Sequence, residues 1–232
     1  MKYIGCLAIV AAGLAGSTAG QAQVRAVSGF HSVSDAGSFA VHIKTGGTEG
    51  VKIEGADAAT AAMIETVVES GSLEIRWKRG AEHEHQRGKV DVYVSAKSLS
   101  GLACSGSGSM DVDGVVNGGH VAVTLSGSGS IASSVDAGNL EVTISGSGAV
   151  KLRGKSGVAN IRISGSGRLN AESLSADAAD IGISGSGDTY ITVNKTLSAR
   201  LVGSGNVYYS GSGTLGSVKT IGSGRVSRRN NS

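Results

Sequence analysis

The tetrapeptide Ser-Gly-Ser-Gly stands at residues 105–108, 126–129, 145–148, 164–167 and 184–187, and Gly-Ser-Gly persists at 203–205 and 222–224 behind Val202 and Ile221. Successive starts lie 18 to 21 residues apart. A fixed period of this size is the mark of a solenoid, in which each coil buries its apolar side only against its neighbours. On both sides of the tetrapeptide apolar and polar residues alternate with period 2, the period of a strand. Cys104, Leu125, Ile144, Ile163, Ile183, Leu201 and Thr220 form one inward column, with Leu102, Val123, Val142, Ile161, Ile181, Ala199 and Val218 two residues earlier. Carried through the tetrapeptide, the same parity turns both glycines inward and the serines outward. Met110, Ile131, Val150, Leu169, Thr189, Val207 and Val226 then form a third inward column. Glycine at two inward places marks a corner where the walls approach too closely for a side chain, or where the backbone bends in a way that a Cβ resists.

The pattern predicts an all-β protein, a right-handed parallel β-helix with coils of about 19 residues. Seven coils at about 4.8 Å would make a rod roughly 30 Å long. Val135, Leu174 and Leu215 hint at a further face between tetrapeptides, and the alternation leaves open whether each coil has two faces or three.

Working outward, residues 101–228 are the repeat region, 23–100 an N-terminal β-rich part and 229–232 a polar tail. The N-terminal part alternates without the tetrapeptide: Phe39, Val41 and Ile43; Val51 and Ile53; Leu73, Ile75 and Trp77; Val90, Val92 and Val94. Four strands are expected, divided by Gly46-Gly47 and Gly71-Ser72. Residues 57–68 open on an N-cap aspartate and pass from helix formers to β-branched residues, which predicts a short helix running into a strand. This part would supply the first irregular coils or a separate cap, because the bare end of a β-helix exposes unpaired strand edges.

Residues 1–22 read as a secretory signal peptide: Lys2, an apolar run from Ile4 to Ala15, then small residues ending at Ala22, with Ala19 as the alternative cleavage point. The run is short for a membrane span, so no transmembrane segment is expected after cleavage, and the protein is placed in the periplasm or on the outer cell surface. With Cys6 in the leader, only Cys104 remains, which excludes an internal disulfide; its inward parity makes it a small core hydrophobe. Thirty-eight glycines with no proline suit stacked corners. A net charge of +3, without a basic and aromatic stripe, implies no nucleic-acid partner.

Candidate chemistry is sparse. Glu82-His83-Glu84-His85 holds ligand-type residues, but adjacent residues in a hydrophilic loop rarely converge on one ion, so no metal site and no cofactor are expected. His31, His42 and His120 show no partner by spacing. A carbohydrate-active enzyme, a polysaccharide lyase or hydrolase on a β-helix, would need paired carboxylates or a carboxylate-bound cation beside a base. Asp111 and Asp113 share a strand face, Asp177 and Asp180 do so only loosely, and Asp136 stands alone, so these read as solvated surface acids and no catalytic residue is assigned. The outward serines Ser107, Ser128, Ser147, Ser166, Ser186, Ser204 and Ser223 would stack as a hydroxyl ladder, either a polar lining of a tight corner or a binding surface.

Phe30-His31-Ser32-Val33, the strand Phe39-Ala-Val-His-Ile43, the strand Leu73-Glu-Ile-Arg-Trp77, the repeated tetrapeptide, and the ending Gly203-Ser-Gly-Asn-Val-Tyr-Tyr209 with Ile221-Gly-Ser-Gly-Arg-Val226 together resemble the bacterial GIN domain, the head of an auto-transporter adhesin family of unknown function. The resemblance implies an exported β-helical domain with no catalytic residues to carry over. It points to a non-enzymatic protein in binding or adhesion, with a glycan or a protein of the envelope or extracellular space as its partner. No run of amphipathic strands follows Val226, so a C-terminal membrane barrel and self-export are not expected.

Overall fold

The structure, a computed structural model, describes residues 22–81 and 90–229. The expected signal peptide through Gln21, the run 82–85 and the last three residues lie outside the described residues. In chain order the elements are β1 (Gln23–Arg25), β2 (Ser32–Asp35), β3 (Ala40–Thr45), β4 (Gly50–Glu54), α1 (Ala58–Ala62), β5 (Ile64–Glu69), β6 (Ser72–Trp77), β7 (Asp91–Ala96), β8 (Gly101–Gly106), β9 (Ser109–Gly127), β10 (Ser130–Gly146), β11 (Ala149–Gly165), β12 (Arg168–Gly185), β13 (Asp188–Gly203), β14 (Asn206–Ser210), β15 (Thr214–Gly222) and β16 (Val226–Arg228). They form a parallel β-helix. Among the described residues no helix is long and apolar enough to cross a membrane.

Two long walls meet at the tetrapeptide edge. The wall after the edge runs β1-β4-β7-β3-β9-β10-β11-β12-β13-β14-β16. The wall before it carries β5, β6, β2, β8 and then the second halves of β9 to β13, ending on β15. Tetrapeptides stack residue on residue, as in Ser145↔Ser164 and Gly146↔Gly165. The unequal repeat lengths are absorbed elsewhere, at register shifts such as Ala132/Ser134 against Asp111/Val115 and Lys151/Arg153 against Asn170/Ser173. An inserted residue is tolerated where a strand can bulge, but not where two backbones lie in van der Waals contact.

The corner shows why glycine is used twice, and it corrects the expected parity. Only the second glycine of each tetrapeptide is buried; the first lies at or near the surface. The first adopts a positive φ, +112° at Gly146, and a Cβ there would lie 2.5 Å from the carbonyl oxygen of Gly127 in the preceding coil. At the second, Gly148, a Cβ would meet the Gly129 oxygen at 2.5 Å and Leu125 Cδ2 at 2.7 Å. The constraint is therefore the coil underneath, at one strand spacing, and not the opposite wall.

Leu125, Ile144, Ile163, Ile183 and Leu201 are at most 2% exposed, and each such side chain contributes about 1.5–3 kcal/mol by leaving water. Of the hinted further face, Val135 and Leu174 are buried, but Leu215 extends the column of Leu140, Ala159, Ala179 and Leu197. Leu215, Val218 and Thr220 keep the inward register yet are exposed, because no further described coil covers β15.

The N-terminal part is continuous with the stack and out of sequence order. β2 and β3 form a coil directly under β8 and the start of β9, while β6 and β7, later in the chain, lie beneath β2 and β3. Asp35-Ala36-Gly37 takes the corner there without the tetrapeptide, Asp35 standing in register with Cys104. The strands then turn antiparallel: β5 on β6, β4 on β7 and β1 on β4. α1 forms where Asp57 accepts from Thr60 N at 2.6 Å. Arg25 of β1 donates to the carbonyl oxygens of Ala61 and Ile64 at 2.7 and 2.6 Å, tying edge strand and helix into one cap. α1 and β5 are the expected helix running into a strand, whereas β1 and β2, both short, were not among the expected strands.

Candidate functional site

The seven ladder serines, Ser107 to Ser223, are all exposed. Each from Ser128 onward donates its backbone N–H to the first-glycine carbonyl of the coil below, at 2.8–3.0 Å. This bond holds the corner in register. The ladder hydroxyls have no hydrogen-bond partner among the described residues, and none of these serines lines either of the two grooves described below.

The larger groove lies on the wall after the corner, at its N-terminal end, with a volume of about 740 Å³. Register builds it. Lys52, Tyr93, His42 and Asp111 are successive neighbours in one outward row, and Gly50, Ser95, Lys44 and Asp113 in the next. Gly50 contributes no side chain, Val24 of β1 stands 72% exposed on one side, and the two extra residues of β9 begin a bulge on the other. Tyr93 and His42 stack with ring centroids 4.9 Å apart and 23° between planes. Asp91 fixes the imidazole through Nε2 at 2.9 Å, and Glu54 holds Lys52 at 2.5 Å. Arg153 reaches the groove while donating to Ser134 Oγ at 2.8 Å. Lys44, Asp111 and Asp113 have no hydrogen-bonded or ionic partner among the described residues.

A half-exposed aromatic platform bordered by free carboxylates and an ammonium can take a sugar ring: the C–H face lies on the π surface and hydroxyls bond the rim. The volume falls in the usual range for small-ligand sites, about 300–1,000 Å³. Asp111 and Asp113 therefore belong to a groove rather than to open surface. The other acids are met by cations one coil away: Asp136 by Lys155 at 3.2 Å, Asp177 by Lys195 at 2.9 Å and Asp180 by Arg162 at 3.0 Å. Among the described residues no His, Cys, Asp and Glu cluster could hold a metal ion. The histidines without sequence partners do acquire some, His42 with Asp91 and His120 with Glu141 at 3.8 Å. Their partners come from other strands, and no local spacing announces them.

One acid is not at the surface. Asp35 is fully buried, accepts from Gly37 N at 3.0 Å and faces Cys104 Sγ at 3.8 Å. Burial pushes its carboxyl up to about 7, against the backbone bond from Gly37 and the thiol, and burial with the nearby Asp35 pushes Cys104 up to about 12. Cys104 is thus a buried thiol and not a nucleophile.

Residues 29–213 match the family described as "Putative auto-transporter adhesin, head GIN domain". No curated protein matches the chain. Among solved structures, a "putative adhesin" from Bacteroides fragilis superposes with a TM-score of 0.82 at 21% identity, over 92% of this chain and 98% of that one. A "putative adhesin" from Parabacteroides merdae and a "putative lipid binding protein" from Parabacteroides distasonis each superpose with a TM-score of 0.73 at 20% identity, over 93% of this chain and 98% of theirs. At such identities the likeness is one of fold.

Proposed function

The chain belongs to the family of auto-transporter adhesin head GIN domains, and from that premise we propose that it is an exported, non-enzymatic binding protein of the cell envelope whose Tyr93 groove takes a glycan. The observation that carries the reading is the Tyr93–His42 stack set between Lys52 at one end of its row and Asp111 at the other, with Lys44 and Asp113 side by side in the adjoining row. Strand-borne side chains are held by the ladder on both sides, so the platform is preformed and little entropy is lost on binding. Export rests on the leader at residues 1–22, with the periplasm or the outer surface as destination, and N-terminal sequencing of the exported protein should begin near Gln23.

The test is an array of envelope and extracellular glycans, scored for both retention and cleavage. Tyr93→Ala should weaken retention of the bound glycans about tenfold while leaving the melting temperature within a few degrees. Retention unchanged by Tyr93→Ala removes the groove from the reading. Release of cleaved product that depends on Asp111 or Asp113 would replace it with a carbohydrate-active enzyme.

A further inference from the structure

A second groove, with a volume of about 370 Å³, lies on the other long wall. Its floor is the row Thr143, Arg162, Gly182, Arg200, which continues to Lys219 in strict register over β10 to β13 and β15. The adjoining outward row is Ser145, Ser164 and Ser184, followed by Val202. The notch exists because Gly182 stands between two arginines: a Cβ there would meet only the flexible Arg162 side chain, Cδ at 3.0 Å and Nη1 at 3.7 Å, so glycine is not demanded by the backbone. Its φ lies outside the left-handed region. Arg162 folds across the notch and donates to Asp180 Oδ1 at 3.0 Å, which neutralises the acid lining the groove. Arg200 and Lys219 have no ionic partner among the described residues. Three cations thus face one occupied carboxylate, beside three short hydroxyls without protein partners.

We propose that this notch is a binding site for the oxyanion groups, sulfate ester or carboxylate, of an acidic polysaccharide. An oxyanion at the notch meets the Arg162 guanidinium, which lies over Gly182, and the Arg200 guanidinium from the next strand, one strand spacing of about 4.8 Å along, and accepts further bonds from Ser164 and Ser184. Guanidinium suits the planar, bidentate geometry of such groups. The row continues along the rod to Lys219, so successive charges of a polymer find successive cations. The hydroxyl-rich border favours sugar over a lipid surface, since Val202 is the one apolar lining side chain that turns outward. The site lies apart from the Tyr93 groove and shares no residue with it, so either reading can fail alone.

The experiment is titration of the purified protein with dextran sulfate and with polygalacturonate, against neutral dextran, at two salt concentrations. Arg200→Gln should weaken binding of the anionic polymers about tenfold, and Gly182→Thr, which fills the notch with a strand-favouring residue, should do the same without lowering the melting temperature. Asp180→Asn should tighten binding by freeing Arg162. The comparison is Arg168→Gln, an exposed arginine on the other long wall. Equal losses for Arg200→Gln and Arg168→Gln would show attraction by general charge and overturn the site. Failure of Gly182→Thr to weaken binding would do so as well. Tight binding to phosphatidylglycerol vesicles, blocked by Gly182→Thr, with none to the polysaccharides, would assign the notch to a lipid headgroup and overturn the polysaccharide assignment.

Discussion

Asp35 occupies the place that Leu125, Ile144 and Ile163 occupy in later coils, and the cost of a carboxylate there sets a pH dependence of stability. Its folded pKa is raised from 3.8 to about 7. Between those values the folded state holds a proton that the unfolded chain has released, so stability falls as pH rises. The contribution is fully present below about pH 4 and is lost once pH has passed through about 7. A shift of about three units at 1.36 kcal/mol each comes to about 4 kcal/mol, a large part of the net stability of a typical domain. Asp35→Asn keeps the acceptor for Gly37 N and removes the ionisation. Urea unfolding followed at about pH 5 and about pH 8 should therefore show the native chain losing a few kcal/mol more than the variant between the two conditions. At pH 8 the variant should be the more stable of the two. Every other group is common to both proteins and cancels in the difference. Parallel pH profiles, or a variant less stable than the native chain at pH 8, would refute the assignment of a buried, uncompensated carboxylate.

The other predictions concern the column, the corner and the ladder. Ile163→Asp places an unpaired charge among aliphatics and should cost more than about 4 kcal/mol, whereas exposed Lys151→Asp should stay within about 0.5; equal melting temperatures would disprove the inward column. Gly146→Val forces a β-branched residue to φ +112° against the Gly127 oxygen and should cost at least about 3 kcal/mol, with Ser147→Ala near neutral, both read by thermal melts. Thr189 buries a hydroxyl with no partner in the Leu169–Val207 column, so Thr189→Val should raise stability by about 1 kcal/mol in urea melts; a loss would reveal a partner. Replacing Ser128, Ser147 and Ser166 together by Ala should preserve folding, and retained glycan binding by that variant would leave the ladder as architecture alone.

The coils, their period, their edge and the inward identity of Leu125, Ile144 and Ile163 are legible in residue order, because a strand's two faces alternate along the chain and a repeated corner needs the same glycines each time. Even this local code has limits. Ser210-Gly211-Ser212-Gly213 repeats the tetrapeptide out of phase and bends the chain between β14 and β15, with Gly211 over the Val193 carbonyl, while Asp35-Ala36-Gly37 makes the corner without it. What the chain alone does not contain is register between distant strands. Tyr93 reaches His42 and Lys52 only because β7 pairs with β3 on one side and β4 on the other, and Arg162 and Arg200 share a row only because β12 places Gly182 between them. Periodicity determines which face a side chain takes; the ladder of backbone hydrogen bonds, with bulges absorbing unequal coils, decides which side chains from separate coils share that face, and both candidate sites are built from that second choice.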